Sequence, residues 1–284
     1  MRRLSVALIA TVSAIALTQI ASAADLPRKA PRYAPPPAPV YSWTGFYVGA
    51  NIGGGWGDRD VNYTPNDLGA STLFFPGAPP PVSFKSSGVL GGLQVGYNWQ
   101  FKPNWLLGLE TDFDFSGIKG AGTAAGLALP LVGTFPFAAT ADEKVTWFGT
   151  VRARLGYVFV HNLLIYGTGG FAYGRVVQSV SFINNSNAGL FFGADPGFGC
   201  VPGTCFVGSF TRIATGWAAG GGLEYAFGNN WSLRAEYLFV NLGGNSVTET
   251  ATAPGNPGQG LSTFTANFDD TAFHVVRGGL NYRF

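Results

Sequence analysis

Apolar and polar residues alternate with period two through most of the chain. In "VLGGLQVGYNWQF", Val89, Leu93, Val95, Tyr97, Trp99 and Phe101 share one parity, and Gln94, Gly96, Asn98 and Gln100 share the other. Successive side chains of a strand point to opposite faces, so this run predicts a strand with one apolar face. "KPN" turns the chain, and "WLLGLETDFDFSG" repeats the pattern, with Trp105, Leu107, Leu109, Phe113 and Phe115 against Glu110, Asp112 and Asp114. In "VTWFGTVRARLGYVF", Val145, Trp147, Val151, Leu155, Tyr157 and Phe159 oppose Thr146, Thr150, Arg152 and Arg154. After "HN", the run from Leu163 sets Ile165, Phe171 and Tyr173 against Tyr166, Thr168 and Gln178. "TRIATGWAAGGGLEYAF" sets Ile213, Trp217, Leu223, Tyr225 and Phe227 against Arg212, Gly220 and Glu224. "GNN" leads into "WSLRAEYLFVN", where Trp231, Leu233, Tyr237 and Phe239 oppose Arg234 and Glu236. The first strand is "TGFYVGANIGGGW", with Phe46, Val48, Ile52 and Trp56 outward and Trp43, of the wrong parity, placed where the strand begins. The last is "VVRGGLNYRF", with Val276, Leu280, Tyr282 and Phe284 opposite Arg277, Asn281 and Arg283.

These runs predict eight strands whose connections alternate in length. Turns of two or three residues lie around Lys102–Asn104, His161–Asn162 and Gly228–Asn230, and long Gly/Pro/Asn/Ser/Thr-rich loops lie near 58–85, 117–141, 182–209 and 242–270. Each strand exceeds the roughly 9–11 residues that cross a bilayer at a tilt. Hydrocarbon offers no partner to the backbone, so strands cross it only as a closed barrel. An even strand count, short turns at one end and long loops at the other predict an all-β, closed antiparallel transmembrane β-barrel with periplasmic turns and extracellular loops. Trp99, Trp105, Tyr157, Phe227 and Trp231 fall beside the short turns, and Trp56 and Trp147 towards the long loops, which places an aromatic girdle at each interface. Apolar fragments such as "STLFF", "VGTFPF" and "GLFFG" within the loops leave a count of ten strands open. A soluble sandwich would have shorter strands and would not explain the alternating connections.

Composition agrees with a chain solvated by lipid. Charged residues are only 11 % of the sequence, aromatic residues are 15 %, and there are 42 glycines. "MRRLSVALIATVSAIALTQIASA" has a basic start, an apolar run and Ala21-Ser22-Ala23, the layout of a cleaved signal peptide; an uncleaved anchor is the alternative. Residues 1–23 are then signal, 24–42 a Pro-rich extended linker and 43–284 the barrel. Loss of Arg2 and Arg3 leaves fifteen basic against fifteen acidic residues, which removes the basic excess that nucleic-acid binding needs. Cys200 and Cys205 read as a disulfide in an exported chain, with a metal site as the alternative.

The polar parity sends Glu110, Asp112, Asp114, Glu224 and Glu236 inward, against Arg152, Arg154, Arg212, Arg234, Arg277 and Arg283. Eight strands leave an interior that side chains can fill, and charges there must be paired. A salt-bridged plug is the expected arrangement; an open path lined by the same charges is the alternative. No catalytic constellation, metal site or cofactor site emerges. His274 with Asp269, Asp270 and Ser262 near the outer rim is the one combination from which lipid-modifying chemistry could be built, and an interfacial histidine explains it as well. Haem capture would have only Tyr63 as a loop ligand.

Three segments carry a family resemblance. "ADLPRKAP", "YSWTGFYVGANIGGGWG" and "GGLNYRF" resemble the small porin-like surface antigens of alphaproteobacteria, within the OmpA-like β-barrel superfamily. The resemblance implies an outer-membrane location, eight strands, contact with outer-membrane lipid and lipopolysaccharide, and a role in envelope integrity or surface display. A narrow porin is the alternative, with ligand capture by the loops or lipid modification below it. Leu280, Tyr282 and Phe284 look like the C-terminal signal that the barrel-assembly machinery reads after periplasmic chaperones deliver the chain. In related barrels a mature Ala-Asp start can be joined to peptidoglycan, which makes Ala24 and Asp25 a candidate attachment point.

Overall fold

The computed structural model describes residues 41–73, 79–128, 135–160, 162–193 and 195–284. The signal peptide, the linker to residue 40 (Ala24 and Asp25 within it) and His161 lie outside the described residues.

Long antiparallel strands dominate: β1 (Gly45–Pro65), β2 (Val82–Lys102), β3 (Trp105–Ala128), β4 (Phe135–Val160), β5 (Leu163–Asn184) and β8 (Gly203–Phe227). Two further positions in the wall are each filled by two collinear pieces, β9 (Trp231–Asn241) with β10 (Asn245–Ala251), and β11 (Thr263–Phe268) with β12 (Ala272–Arg283). Each strand from β1 to β5 pairs with the next, followed by β5 with β8, β8 with β9, β9 with β12 and β12 with β1. That order closes a ring of eight. Towards the loop end β10 pairs with β8 and β11, and β11 pairs with β1, so the ring continues above the breaks. The breaks at 242–244 and 269–271 face one another: Leu242 N–H donates to Thr271 O at 3.0 Å and Thr271 N–H to Gly243 O at 3.1 Å. Gly243 takes φ +69° there, a left-handed conformation that glycine adopts without steric cost. The count of eight wall positions holds, and the question of ten strands resolves into two broken strands.

The expected loops are mostly wall. Residues 58–65, 82–85, 117–128, 135–141, 182–184, 203–209, 245–251 and 263–268 are strand. The sequence misleads here because the chemistry of the two parities exchanges. Along β1, Phe46, Ile52 and Trp56 face out; beyond Trp56, Asp58 and Asp60 face out while Val61 and Tyr63 are buried inside. On β2, Val89 and Leu93 face out whereas Val82 and Phe84 are inside. Apolar residues face out where lipid surrounds the wall and inward where water does. At about 3.3 Å per residue and a tilt of roughly 40°, the 26 residues of β4 rise roughly 65 Å, against an apolar band of about 25 Å. One side-chain assignment changes with this. Val145 is buried, not outward, because a bulge at Thr146 resets the parity between Val145 and Trp147.

At the loop end sit the six-residue helix α1 (Leu68–Leu73), the small hairpin of β6 (Leu190–Phe192) and β7 (Phe198–Cys200), and the segment 252–262. They close over an apolar cluster that includes Tyr63, Leu73, Phe84, Phe182, Phe206 and Phe264. The Cys200–Cys205 disulfide joins the end of β7 to the start of β8 inside this cap.

Candidate functional site

The inward parity predicted for Glu110, Asp112, Asp114, Arg152, Arg154, Glu224, Arg234, Glu236 and Arg277 holds at every one of the nine, and all are buried. Strand register sets the first contacts. Glu110 lies opposite Arg152 across β3–β4, Glu224 opposite Arg234 across β8–β9, and Glu236 opposite Arg277 across β9–β12. The long side chains then reach across the interior. Arg152 Nη2 donates to Glu110 Oε1 at 2.7 Å and Asp112 Oδ2 at 2.8 Å, and its Nη1 to Glu236 Oε1 at 3.1 Å. Arg277 holds Asp114 and Asp112 at 2.6 Å each and Glu236 at 2.6 Å. Arg234 donates to Glu110 Oε2. Arg154 Nη2 reaches Glu224 Oε2 at 2.8 Å, and its guanidinium lies 3.9 Å from the centre of the Tyr166 ring. Polar neighbours join the lattice: Tyr47 Oη donates to Glu110 at 2.5 Å, Tyr166 Oη to Glu236 at 3.0 Å, and Ser232 Oγ to Glu224 at 2.6 Å. Gln94 bridges Asn51 and Asn281 at 2.8 Å on each side, and Asn281 Nδ2 donates to Glu224.

This lattice of four guanidiniums and five carboxylates lies between two apolar layers. On the turn side Trp43, Leu106, Val158, Leu164, Tyr166 and Ala226 pack together. Trp43 is therefore not simply where β1 begins; its ring turns inside and is only 1 % exposed. On the loop side Phe148, Phe273, Ile118, Leu238 and their neighbours form a second layer. Above it is a polar tie that the sequence reading missed. Arg59 Nε donates to Glu143 Oε1 at 2.5 Å, and Gln178 and Thr271 donate to Glu143 Oε2 at 2.8 and 3.0 Å. Arg59 fell within the expected first loop. The alternation that continues through Asp58-Arg59-Asp60-Val61 was the available signal. The apolar cap closes the stack.

Within the cap lies a polar group of a different kind. Glu249 is fully buried and neither carboxylate oxygen has a hydrogen-bond partner among the described residues; the Tyr63 hydroxyl is likewise unpartnered. Burial pushes the Glu249 carboxyl up to about 8.

The remaining sequence candidates are scattered. Arg212 donates to Gly243 O at 2.8 Å beside the β9–β10 break, and the Arg283 guanidinium stacks 3.9 Å from the Tyr41 ring at the turn end. Neither joins the lattice. His274 sits on the outer face, its Nδ1 2.7 Å from Tyr237 Oη and its ring against Trp56 and Phe239. His274 is level with Trp56 on β1, whereas Thr263, next to Ser262, is bonded to Asn66. The interval from Trp56 to Asn66, just past the end of β1, is ten residues, roughly 33 Å at about 3.3 Å each, so histidine and serine are not brought together. Tyr63 points into the cap. Tyr282 packs edge-on against Trp231 and Phe284, with ring centres 5.0 and 5.3 Å away, and Leu280 is exposed beside them on the lipid face. Two concave regions, of 710 and 480 Å³, also lie on the lipid side of the wall, lined by residues such as Leu93, Phe113 and Leu280 in the first and Trp99, Leu107 and Leu109 in the second.

Comparison with known proteins agrees with this architecture. Residues 8–284 match the family described as outer membrane protein beta-barrel domain. The chain is 34 % identical over 279 residues to the 31 kDa outer-membrane immunogenic protein of Brucella melitensis biotype 1, covering 98 % of each chain. It is 26 % identical to the 25 kDa outer-membrane immunogenic protein of Brucella abortus biovar 1, covering 90 % of this chain and 93 % of that one. Among solved structures it aligns with the outer membrane protein OprG of Pseudomonas aeruginosa at a TM-score of 0.42 and 10 % identity, over 86 % of this chain and 99 % of that one. A closed ring of eight strands, an outward apolar band and near full-length similarity to these antigens lead to one assignment: the chain belongs to the outer membrane protein beta-barrel family and resides in the outer membrane of a Gram-negative bacterium.

Proposed function

We propose that this barrel is a non-conducting structural element of the envelope, which stiffens the outer membrane and displays a rigid, capped extension outside it, with no catalytic role. The observation that carries this reading is the filled interior, where apolar, ionic, apolar, polar and apolar layers succeed one another from the turn end to the cap. Salt bridges that span the interior resist deformation of the wall, and the layers above and below exclude the water that a solute path needs. The Brucella relatives are named immunogenic outer-membrane proteins, which supports display. The alternating outward residues Leu280, Tyr282 and Phe284 support a reading in which the barrel-assembly machinery inserts the chain. Attachment to peptidoglycan through Ala24 and Asp25 would extend the same role inward, and its support is the sequence alone. Recovery of stem peptide joined to the Ala24 amine would establish that extension; a wholly free amine would end it.

Planar-bilayer recording of the mature protein, with folding verified by heat-modifiable migration, tests the main proposal. The expected result is silence. A reproducible unitary step whose size changes in Arg152→Ala would overturn it in favour of a narrow porin.

A further inference from the structure

Above the outer aromatic girdle, four cations face outward on four successive strands: Lys85 on β2, Lys119 on β3, Lys144 on β4 and Arg175 on β5. Each lies two to four residues along its strand, towards the loop end, from an outward residue of the wall: Lys85 from Val89, Lys119 from Phe115, Lys144 from the girdle residue Trp147 and Arg175 from Tyr173. Lys119 and Lys144 are directly opposite in register. Directly opposed residues have β-carbons about 4.5–5.5 Å apart, and like charges in that relation are destabilising. Arg175 lies opposite Trp147 on the other side of β4. None of the four has a carboxylate within salt-bridge distance among the described residues, although Asp58 is opposite Lys85 in register and Asp142 lies two residues from Lys144. The adjoining part of the rim, on the far side of Lys85, carries acids, Asp58, Asp60, Asp269 and Asp270, on or beside β1 and β12. The girdle fixes the depth of this arc. Tryptophan and tyrosine sit at headgroup level, so side chains one to two residue pairs above them are level with lipid phosphates.

We propose that Lys119, Lys144 and Arg175, flanked by Lys85, form a docking surface for the phosphate groups of a phosphorylated glycolipid of the outer leaflet. A phosphate between Lys119 and Lys144 converts a repulsive pair into two charge-assisted contacts, and the Arg175 fork suits a second pair of phosphate oxygens. The acyl chains would lie along the aromatic and aliphatic wall formed by Phe113, Phe115 and Trp147 directly beneath. The protein's own cations supply the counter-charge, so the lipid should stay bound when divalent ions are chelated. This rests on the outer-membrane location and is independent of whether the interior conducts.

The test is extraction of the full mature chain from outer membranes in mild detergent with EDTA, then native mass spectrometry and phosphorus assay. Wild type should carry phosphorylated glycolipid, and Lys119→Gln/Lys144→Gln should carry at least fivefold less, with Arg175→Gln intermediate. Lys102→Gln at the periplasmic end should match wild type. These side chains are exposed, and heat-modifiable migration will verify that each variant is folded. Equal glycolipid on wild type and the double variant, a wild type without bound lipid, or phospholipid retained in place of glycolipid would each overturn the proposal.

Discussion

Arg152 on β4 and Glu236 on β9 meet at 3.1 Å, although β5 and β8 stand between their strands in the wall. Arg152 also holds Glu110 and Asp112. One guanidinium thus ties a neighbouring strand to a distant one. Its removal leaves three carboxylates short of a partner in a site sealed from water, and breaking a buried pair costs about 3–5 kcal/mol. Arg152→Ala is expected to lower the unfolding free energy in urea by that order. Glu236→Gln should cost less, since a neutral amide is not left as an unpaired charge. A double-mutant cycle between the two should show coupling well above the roughly 0.3–0.5 kcal/mol error of additive sites. Additive behaviour would show that the cross-barrel contact does not bind the wall together.

Glu249 supplies a pH dependence of opposite sign to that of the usual salt-bridged carboxylate. Its carboxyl is held at about 8 in the folded protein by burial in the apolar cap, whereas an unfolded glutamate titrates near 4.3. Between those values the folded state keeps a proton that the unfolded state releases. The contribution of this group to stability is therefore full below about pH 4.3, falls as pH rises, and levels off above about 8. The Tyr63 hydroxyl, also raised by burial and by Glu249 itself, offers no counter-charge. Thermal unfolding followed by circular dichroism at pH 5 and pH 9 should show the cap loosening at the higher pH. Glu249→Gln should remove most of that difference. A pH profile unchanged by the substitution would mean that the carboxylate is solvated in solution.

The membrane wall was legible in the sequence because lipid imposes a single rule on it. Every outward position from Phe46 to Trp56 or from Val89 to Phe101 must tolerate hydrocarbon, and the opposite parity then names the interior residues directly. That is why Glu110, Arg152 and Arg277 could be assigned to one space from strands far apart in sequence. The outer half of the barrel was hidden by the same rule. Past Trp56 the outside is water, so Asp58 and Asp60 face out, Val61 and Tyr63 pack within, and a reading tuned to apolar-out strands sees a polar loop. Thr146 concealed a second point, since a bulge moves Val145 to the inner face without interrupting the alternation around it. The Arg59–Glu143 pair joins residues 84 positions apart, and its register exists only once the extended wall is recognised.

The Cys200–Cys205 disulfide should matter locally and not globally. It closes a short segment between β7 and β8 within the cap, whereas the wall is held by a closed ring of eight strand pairings. By chain entropy a loop of about six residues contributes about 2 kcal/mol to the stability of whatever unit opens with it, and each 1.4 kcal/mol is tenfold in an equilibrium. If the cap opens as a unit separate from the barrel, Cys200→Ser/Cys205→Ser should be cut by chymotrypsin at Phe191, Phe192 or Phe198 at least tenfold faster, while heat-modifiable migration and the urea midpoint of the barrel stay at wild-type values. Faster cutting together with a lower midpoint would instead show that cap and wall unfold cooperatively, with the apolar cluster around Phe182, Phe206 and Phe264 transmitting the loss from one to the other. The proteolysis rate and the midpoint, measured on the same two proteins, separate these outcomes.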